Sequence, residues 1–296
     1  MNMIHGSIVA LITPFRDGAV DEEALRRIVK WQVENGTDCI CPTGTTGECP
    51  TLTKEEHCRV MQITVETVKE CGGKATVLAG AGSNNPVESV YYTNMAEKYG
   101  ADAVLHNAGY YNRPNQAGLY EHFKYVHDHT NLPIIVYNVP GRTVVDIKSD
   151  TLARLAELPR VIGVKDATGD LERPWVEHNM IRRGDFAWLS GNDSTAVSFN
   201  VAGGCGCVSV TANCAPALLS KMQKLMAEGK WEEARDIQYT LMPLHKLMFK
   251  EPSPAGAKYA ASLLGLCTPE CRLPILPLSE ETKKEIRSEM EKLHLI

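Results

Sequence analysis

No cluster of lysine and arginine interrupts the 296-residue sequence, whose formal net charge is −5. Nucleic-acid binding needs a basic footprint and is not expected. The N-terminal stretch MNMIHGSIVALITPF has no basic start. Its apolar run is too short for a signal-peptide core with a cleavage site, and too short to cross a bilayer. A cytoplasmic protein with no membrane partner is expected. Several signatures are also missing. No G-x-G-x-x-G turn follows the first apolar run, which argues against a doubly wound dinucleotide-binding sheet. No Gly-Lys-Ser/Thr marks a phosphate loop. No H-E-x-x-H or G-x-S-x-G occurs, so neither a zinc hydrolase nor a serine triad is expected. No cofactor is called for. The ten cysteines lie scattered through apolar segments and read as reduced, space-filling thiols. Two C-x-C pairs, Cys39/Cys41 and Cys205/Cys207, lack zinc-type spacing; in a strand such residues simply share a face. No metal is expected.

What the sequence does have is rhythm. Apolar runs recur as SIVALI from Ser7, DCIC from Asp38, ATVLAGAG from Ala75, ADAVLHN from Ala101, PIIVYNV from Pro133, VIGVK from Val161, FAWLSG from Phe186 and GCVSVTA from Gly206. Helix-like segments separate them. The first opens at Asp21, a plausible N-cap, and closes on Gly36. Thr53 with Glu56 fits a capping box for the second. Eight strand–helix units spaced by roughly 30 residues are what a (β/α)8 TIM barrel requires. Continuous apolar strands suit a parallel sheet buried on both faces. After Gly229 three helical segments follow without strands. The expected organisation is a catalytic barrel over residues 1–229 and a C-terminal three-helix extension over 230–296.

Lys165 ends the apolar strand VIGVK, where an ammonium is costly unless it snorkels to water or serves as a nucleophile. In a barrel, chemistry sits at the C-terminal strand ends. There this sequence places Thr45 and Thr46 in GTTGE, Tyr110 and Tyr111 in GYYNRP, Tyr137 and Arg142 in YNVPGRT, Lys165, SGND and SVTAN. Singly, each reads better as a turn residue, a rim tyrosine or a solvated charge. Together at one mouth they suggest a site. Burial disfavours an ammonium, and a free amine attacks a keto carbonyl to form a Schiff base. The protonated imine is an electron sink that needs no metal. Tyr137 and Thr46 can supply the hydroxyls that move protons.

In order and spacing, GTTGE, YYNRP, YNVPGRT, GVKDATGD and SVTAN resemble the dihydrodipicolinate synthase/N-acetylneuraminate lyase family of class I aldolases, over nearly the whole chain. Within it, the arginine of YNVP-x-RT resembles the synthase branch and is absent from the sialic acid lyases. The resemblance implies that Lys165 forms the imine with pyruvate and that Tyr137 is the central proton donor and acceptor. It implies that Thr46 and Tyr111 complete a hydroxyl relay, Tyr111 reaching across a subunit interface. Thr45, with backbone near Gly191 and Val208, would hold the pyruvate carboxylate, and Arg142 that of the second substrate, aspartate semialdehyde. The product would be 4-hydroxy-tetrahydrodipicolinate, for lysine and diaminopimelate synthesis. A homotetramer built from two tight dimers is implied. So is an inhibitory lysine site at Asn84, Glu88, Tyr110 and His57.

The sequence departs from the family pattern at Gly109, Val144 and Gly256, where proline, glycine and proline are usual. Lys54 replaces a histidine of inhibited members, with Cys49 and Pro50 nearby, and a second cation there would repel the ammonium of lysine. Two alternatives follow from the same residues: a sister 2-keto-acid aldolase or lyase using the same imine, and a non-enzymatic sensor, which would have no use for a proton relay.

Overall fold

The computed structural model describes residues 4–107 and 109–296; Met1–Met3, the start of the N-terminal stretch, and Ala108 lie outside the described residues. Eight parallel strands close into a barrel: β1 (Gly6–Ala10), β2 (Cys39–Cys41), β3 (Thr76–Gly80), β4 (Ala103–Asn107), β5 (Ile134–Asn138), β6 (Val161–Asp166), β7 (Ala187–Ser190) and β8 (Gly206–Ser209). Each pairs with its neighbours in chain order, and β1 closes the ring against β8. All eight apolar runs of the sequence are strands. Helices cover the outside: α1 (Glu22–Glu34), α2 (Lys54–Glu70), α3 (Pro86–Tyr99), α4 (Gln116–Asp128), α5 (Ser149–Ala156), α6 (Arg173–Met180), α7 (Ala196–Val201) and α8 (Pro216–Ala227). The TIM-barrel reading therefore holds.

Both expected caps form. The Asp21 carboxylate accepts from the Ala24 amide, and Thr53 and Glu56 satisfy each other's backbone N–H groups at the start of α2. Gly36 follows α1 with φ +82°, a left-handed conformation that glycine adopts without steric cost. On α1 the residues Ala24, Leu25, Ile28 and Val29 are buried, one helical stripe facing the barrel.

Most strands are shorter than their apolar runs. SIVALI continues to Ile12, yet β1 ends at Ala10, because the Ile12 amide turns away to the Asn213 side chain at 3.1 Å. Chain leaving the ladder must find other partners for its backbone, and here those partners shape the mouth of the barrel. Beyond α8 come α9 (Trp231–Leu247), α10 (Ala255–Leu263) and α11 (Glu280–Lys292). α9 packs on α8 and α11, and α10 packs on the Thr211–Asn213 turn that follows β8.

Candidate active site

Strand alternation decides which side chains reach the mouth. Tyr137 on β5 lies opposite Lys165 on β6 in the parallel register. Both are buried, and the Lys165 ammonium nitrogen sits 3.9 Å from the centre of the Tyr137 ring. The next residue, Asp166, points to the other face. Its carboxylate accepts from the Thr168 amide at 2.7 Å and hydroxyl at 2.6 Å and pairs with Arg173 Nε at 3.2 Å. Burial pushes the Asp166 carboxyl above its usual range.

Arg173 is a hub that the sequence reading missed. It also meets Asp146 at 3.0 Å and Glu177 at 3.1 Å, and so ties the base of the loop after β5 to the strand that carries Lys165. Glu177 is buried by the packing of α6, and desolvation pushes its carboxyl up to about 7 despite the nearby guanidinium.

Beneath Lys165 the barrel is lined by thiols. Cys41 on β2 and Cys207 on β8 are fully enclosed and feel the Lys165 charge. Burial pushes Cys41 up to about 11, so it is an inert wall rather than a second nucleophile. None of the ten cysteines forms a disulfide, and among the described residues no group of three or more potential metal ligands converges.

Thr45 and Thr46 lie on the loop after β2, a tightly tied segment. Thr43 has φ +53° and Glu48 φ +54°. The Thr43 hydroxyl donates to the Gly80 carbonyl at 2.9 Å, and the Thr13 hydroxyl donates to the Gly47 carbonyl at 2.7 Å. Gly80 at the end of β3 must lack a side chain, since a Cβ there would overlap the Thr43 carbonyl. Thr46 is buried and Thr45 half-buried.

Gly191 follows β7. Its amide is committed to the Asp166 carbonyl at 2.6 Å, and a Cβ on it would press on Ala167. Val208 is buried in β8, paired with Ile8 of β1. The end of β8 is held by Asp193, which accepts from the Ser209 hydroxyl and from the Val210 amide at 2.9 Å. His245 of α9 backs this arrangement through the Thr211 hydroxyl at 2.8 Å.

The remaining sequence-predicted residues stand at the rim. Tyr111 is 91% exposed with φ +68°, an unusual pairing for an aromatic residue. Arg142 is exposed on the single helical turn Pro140–Thr143. Val144, which ends that turn, has φ +60°, the conformation that explains why glycine would suit the position. Asn84 donates to the Tyr110 carbonyl at 2.8 Å. Glu88 accepts from Ser83 at 2.6 Å and pairs with Lys54 at 3.5 Å. His57 is different: it is buried, hydrogen-bonded to the Gly80 carbonyl at 2.8 Å and stacked on Tyr92 at 4.0 Å. Burial pushes its imidazole down to about 4.

This geometry has counterparts in known proteins. The chain is 51% identical over 294 residues to the 4-hydroxy-tetrahydrodipicolinate synthase of Parvibaculum lavamentivorans, covering 99% of this chain and 100% of that one. It is 52% identical over 281 residues to the enzyme of the same name from Roseobacter denitrificans, 95% of each. Among solved structures, dihydrodipicolinate synthase from Thermotoga maritima superposes with a TM-score of 0.96 at 38% identity over the full length of both chains. The chloride-inhibited dihydrodipicolinate synthase of Acinetobacter baumannii, solved with pyruvate, superposes with a TM-score of 0.95 at 39% identity, over 99% of this chain and 100% of that one. The model of the dihydrodipicolinate synthetase family matches residues 3–293, and the chain belongs to that family.

Proposed function

We propose that the protein condenses pyruvate with L-aspartate 4-semialdehyde to give 4-hydroxy-tetrahydrodipicolinate, as a class I aldolase-type lyase of lysine and diaminopimelate synthesis. The observation that carries this reading is the juxtaposition of Lys165 and Tyr137 at the barrel mouth. The amine attacks the C2 carbonyl of pyruvate, and loss of water gives an imine. Proton loss from the methyl carbon then yields an enamine, whose carbon adds to the aldehyde of the second substrate. Attack of that substrate's own amine on C2 closes the ring and frees Lys165. Each step moves a proton, and the Tyr137 hydroxyl, with Thr46 and Tyr111, is the relay. Thr45 and the backbone near Gly191 and Val208 hold the pyruvate carboxylate. Arg142 holds that of the semialdehyde through parallel charged hydrogen bonds.

The exposure of Tyr111 supports a relay completed by a neighbouring subunit in a homotetramer made of two tight dimers. Ten cysteines without a disulfide support a reducing, cytoplasmic setting, and among the described residues no helix is long and apolar enough to cross a membrane. At the inhibitory site, Lys54 already neutralises Glu88, which favours an enzyme insensitive to lysine. Borohydride reduction in the presence of pyruvate should add the keto acid's mass to the peptide bearing Lys165; a label elsewhere, or none, removes the assignment. Pyruvate release from other aldol substrates, without condensation of the semialdehyde, would identify a sister lyase instead.

A further inference from the structure

The sequence PAGAK begins α10 in the C-terminal extension, and its lysine, Lys258, is completely enclosed. A buried ammonium demands strong compensation. Its counter-ion is Glu48, the last residue of GTTGE, itself buried. The ammonium also donates to the Glu270 carbonyl at 2.7 Å and lies 4.0 Å from the centre of the Phe15 ring. The second Glu48 oxygen accepts from the Arg272 amide at 2.9 Å. Arg272 continues the clamp: its guanidinium donates to the Thr51 carbonyl at 2.8 Å and to both oxygens of Glu56.

Nothing in pyruvate chemistry uses this pair directly, and its location explains it better. Glu48 is in a left-handed conformation, and its amide closes a turn on the Thr45 carbonyl at 3.1 Å. A fixed Glu48 side chain therefore fixes the backbone of the turn from Thr45 to Glu48. That turn has few ways to hold itself, being neither strand nor helix. From the barrel side it is tied by Thr13 and Thr43; from the outer side it is tied through Glu48 and Thr51 to segments more than 200 residues away in sequence. Desolvation pushes the Lys258 amine below its ordinary value, and Glu48 acts against that shift.

We propose that Lys258 is a positioning residue for the pyruvate half of the site: by holding Glu48, the C-terminal extension sets Thr45 and Thr46 against the imine formed on Lys165. The proposal rests on the reading that Thr45 and Thr46 serve pyruvate. It gives the extension a role in the first half-reaction and none in the choice of the second substrate.

The test is the double variant Glu48→Gln/Lys258→Met in the full-length protein, which removes both charges while keeping volume and the acceptor for Arg272. Replacing a buried pair in this way is often neutral for stability, so the melting temperature should change little. Misplacing a binding group by about 1 Å can cost up to ~10²-fold. The rate of borohydride trapping with pyruvate should therefore fall about ten- to a hundredfold and the KM for pyruvate should rise, with the KM for the semialdehyde unchanged. Unchanged trapping and pyruvate KM in the folded variant overturns the proposal. So does a parallel rise in both KM values, which marks a general structural role. Thr45→Val runs alongside: if it leaves pyruvate kinetics untouched, the reading of the loop has failed, rather than the link between Lys258 and the loop. Should the double variant fail to fold, Glu48→Asp decides by the same measurements, because it keeps the charge and shortens the arm by one methylene.

Discussion

The two halves of the mouth are built differently. The loop after β2 is buried, tied from both sides and anchored by an enclosed ion pair. The loops after β4 and β5 carry Tyr111 and Arg142 exposed at the rim; the first is tied by Asn84 to the Tyr110 carbonyl, and the second is held at its base, where Arg173 grips Asp146. Under the proposed function, the closed half serves a substrate that becomes covalently attached, so precise placement of its carboxylate is worth the loss of freedom. Under the same proposal, the open half admits the second substrate after the first is bound, and Tyr111 meets a neighbouring subunit. One ring of strands thus carries a tied loop and two more open ones.

This contrast can be broken at graded cost. The largest effect belongs to Lys165→Ala, which should lose borohydride trapping and at least ~10⁴-fold in turnover, as expected when a covalent nucleophile is removed. Its thermal melt should stay cooperative, because the residue lies at the mouth. Retained trapping would move the imine elsewhere. Tyr137→Phe keeps the ring against Lys165 and removes only the hydroxyl. Its turnover at saturating substrate should fall by ~10²–10⁴-fold, and an unchanged kcat would take Tyr137 out of the relay.

The halves should separate cleanly in Arg142→Ala. The KM for the semialdehyde should rise about ten- to a hundredfold, from loss of a charged hydrogen-bonding pair, while pyruvate trapping proceeds as before. If trapping collapses too, the open half is not independent of the closed one.

Two smaller effects concern the base and edge of the open half. Burial raises the Glu177 carboxyl from its usual 4.5 to about 7, so the folded protein binds a proton there that the unfolded chain releases. This contribution is full below pH 4.5 and is lost as pH rises through about 7. Glu177→Gln should flatten the decline in that window, by up to about 1.4 kcal/mol per pH unit, as read from denaturant midpoints at several pH values. An identical slope in the variant would mean that Arg173 keeps Glu177 ionised throughout. The smallest effect is at Val144, a β-branched residue at φ +60° that is 62% exposed. Glycine relieves the strain but frees the unfolded chain, so Val144→Gly should raise stability by about 1 kcal/mol or less. A measurable loss instead would show that the exposed isopropyl group is covered in the assembled protein.

Much of this is legible in the sequence alone. Eight apolar runs separated by capped helices specify strands and helices through local periodicity alone, and Lys165 stood out because a charge at the end of VIGVK has no local excuse. The hub at Arg173 and the Glu48–Lys258 pair were not legible, although Lys258 offered the same kind of signal, one charge within the alanine-rich AGAKYAASL. Both depend on charges gathered from elsewhere in the chain: Arg173 takes Asp146 from the loop after β5 as well as Asp166, and Glu48 and Lys258 lie more than 200 residues apart.

Local chemistry thus determined the elements, their order and the amine proposed to form the imine, since each depends on residues close in sequence: a strand end, a cap, a turn. The tertiary structure alone decided which strand residues face each other across the mouth and which carboxylate answers a buried ammonium. It also decided that the loop after β2 is held rigid while those after β4 and β5 stand open. Those outcomes depend on closure of the barrel and on the docking of α10 against it, which bring distant charges into a space without water, where only a specific partner can make their burial tolerable.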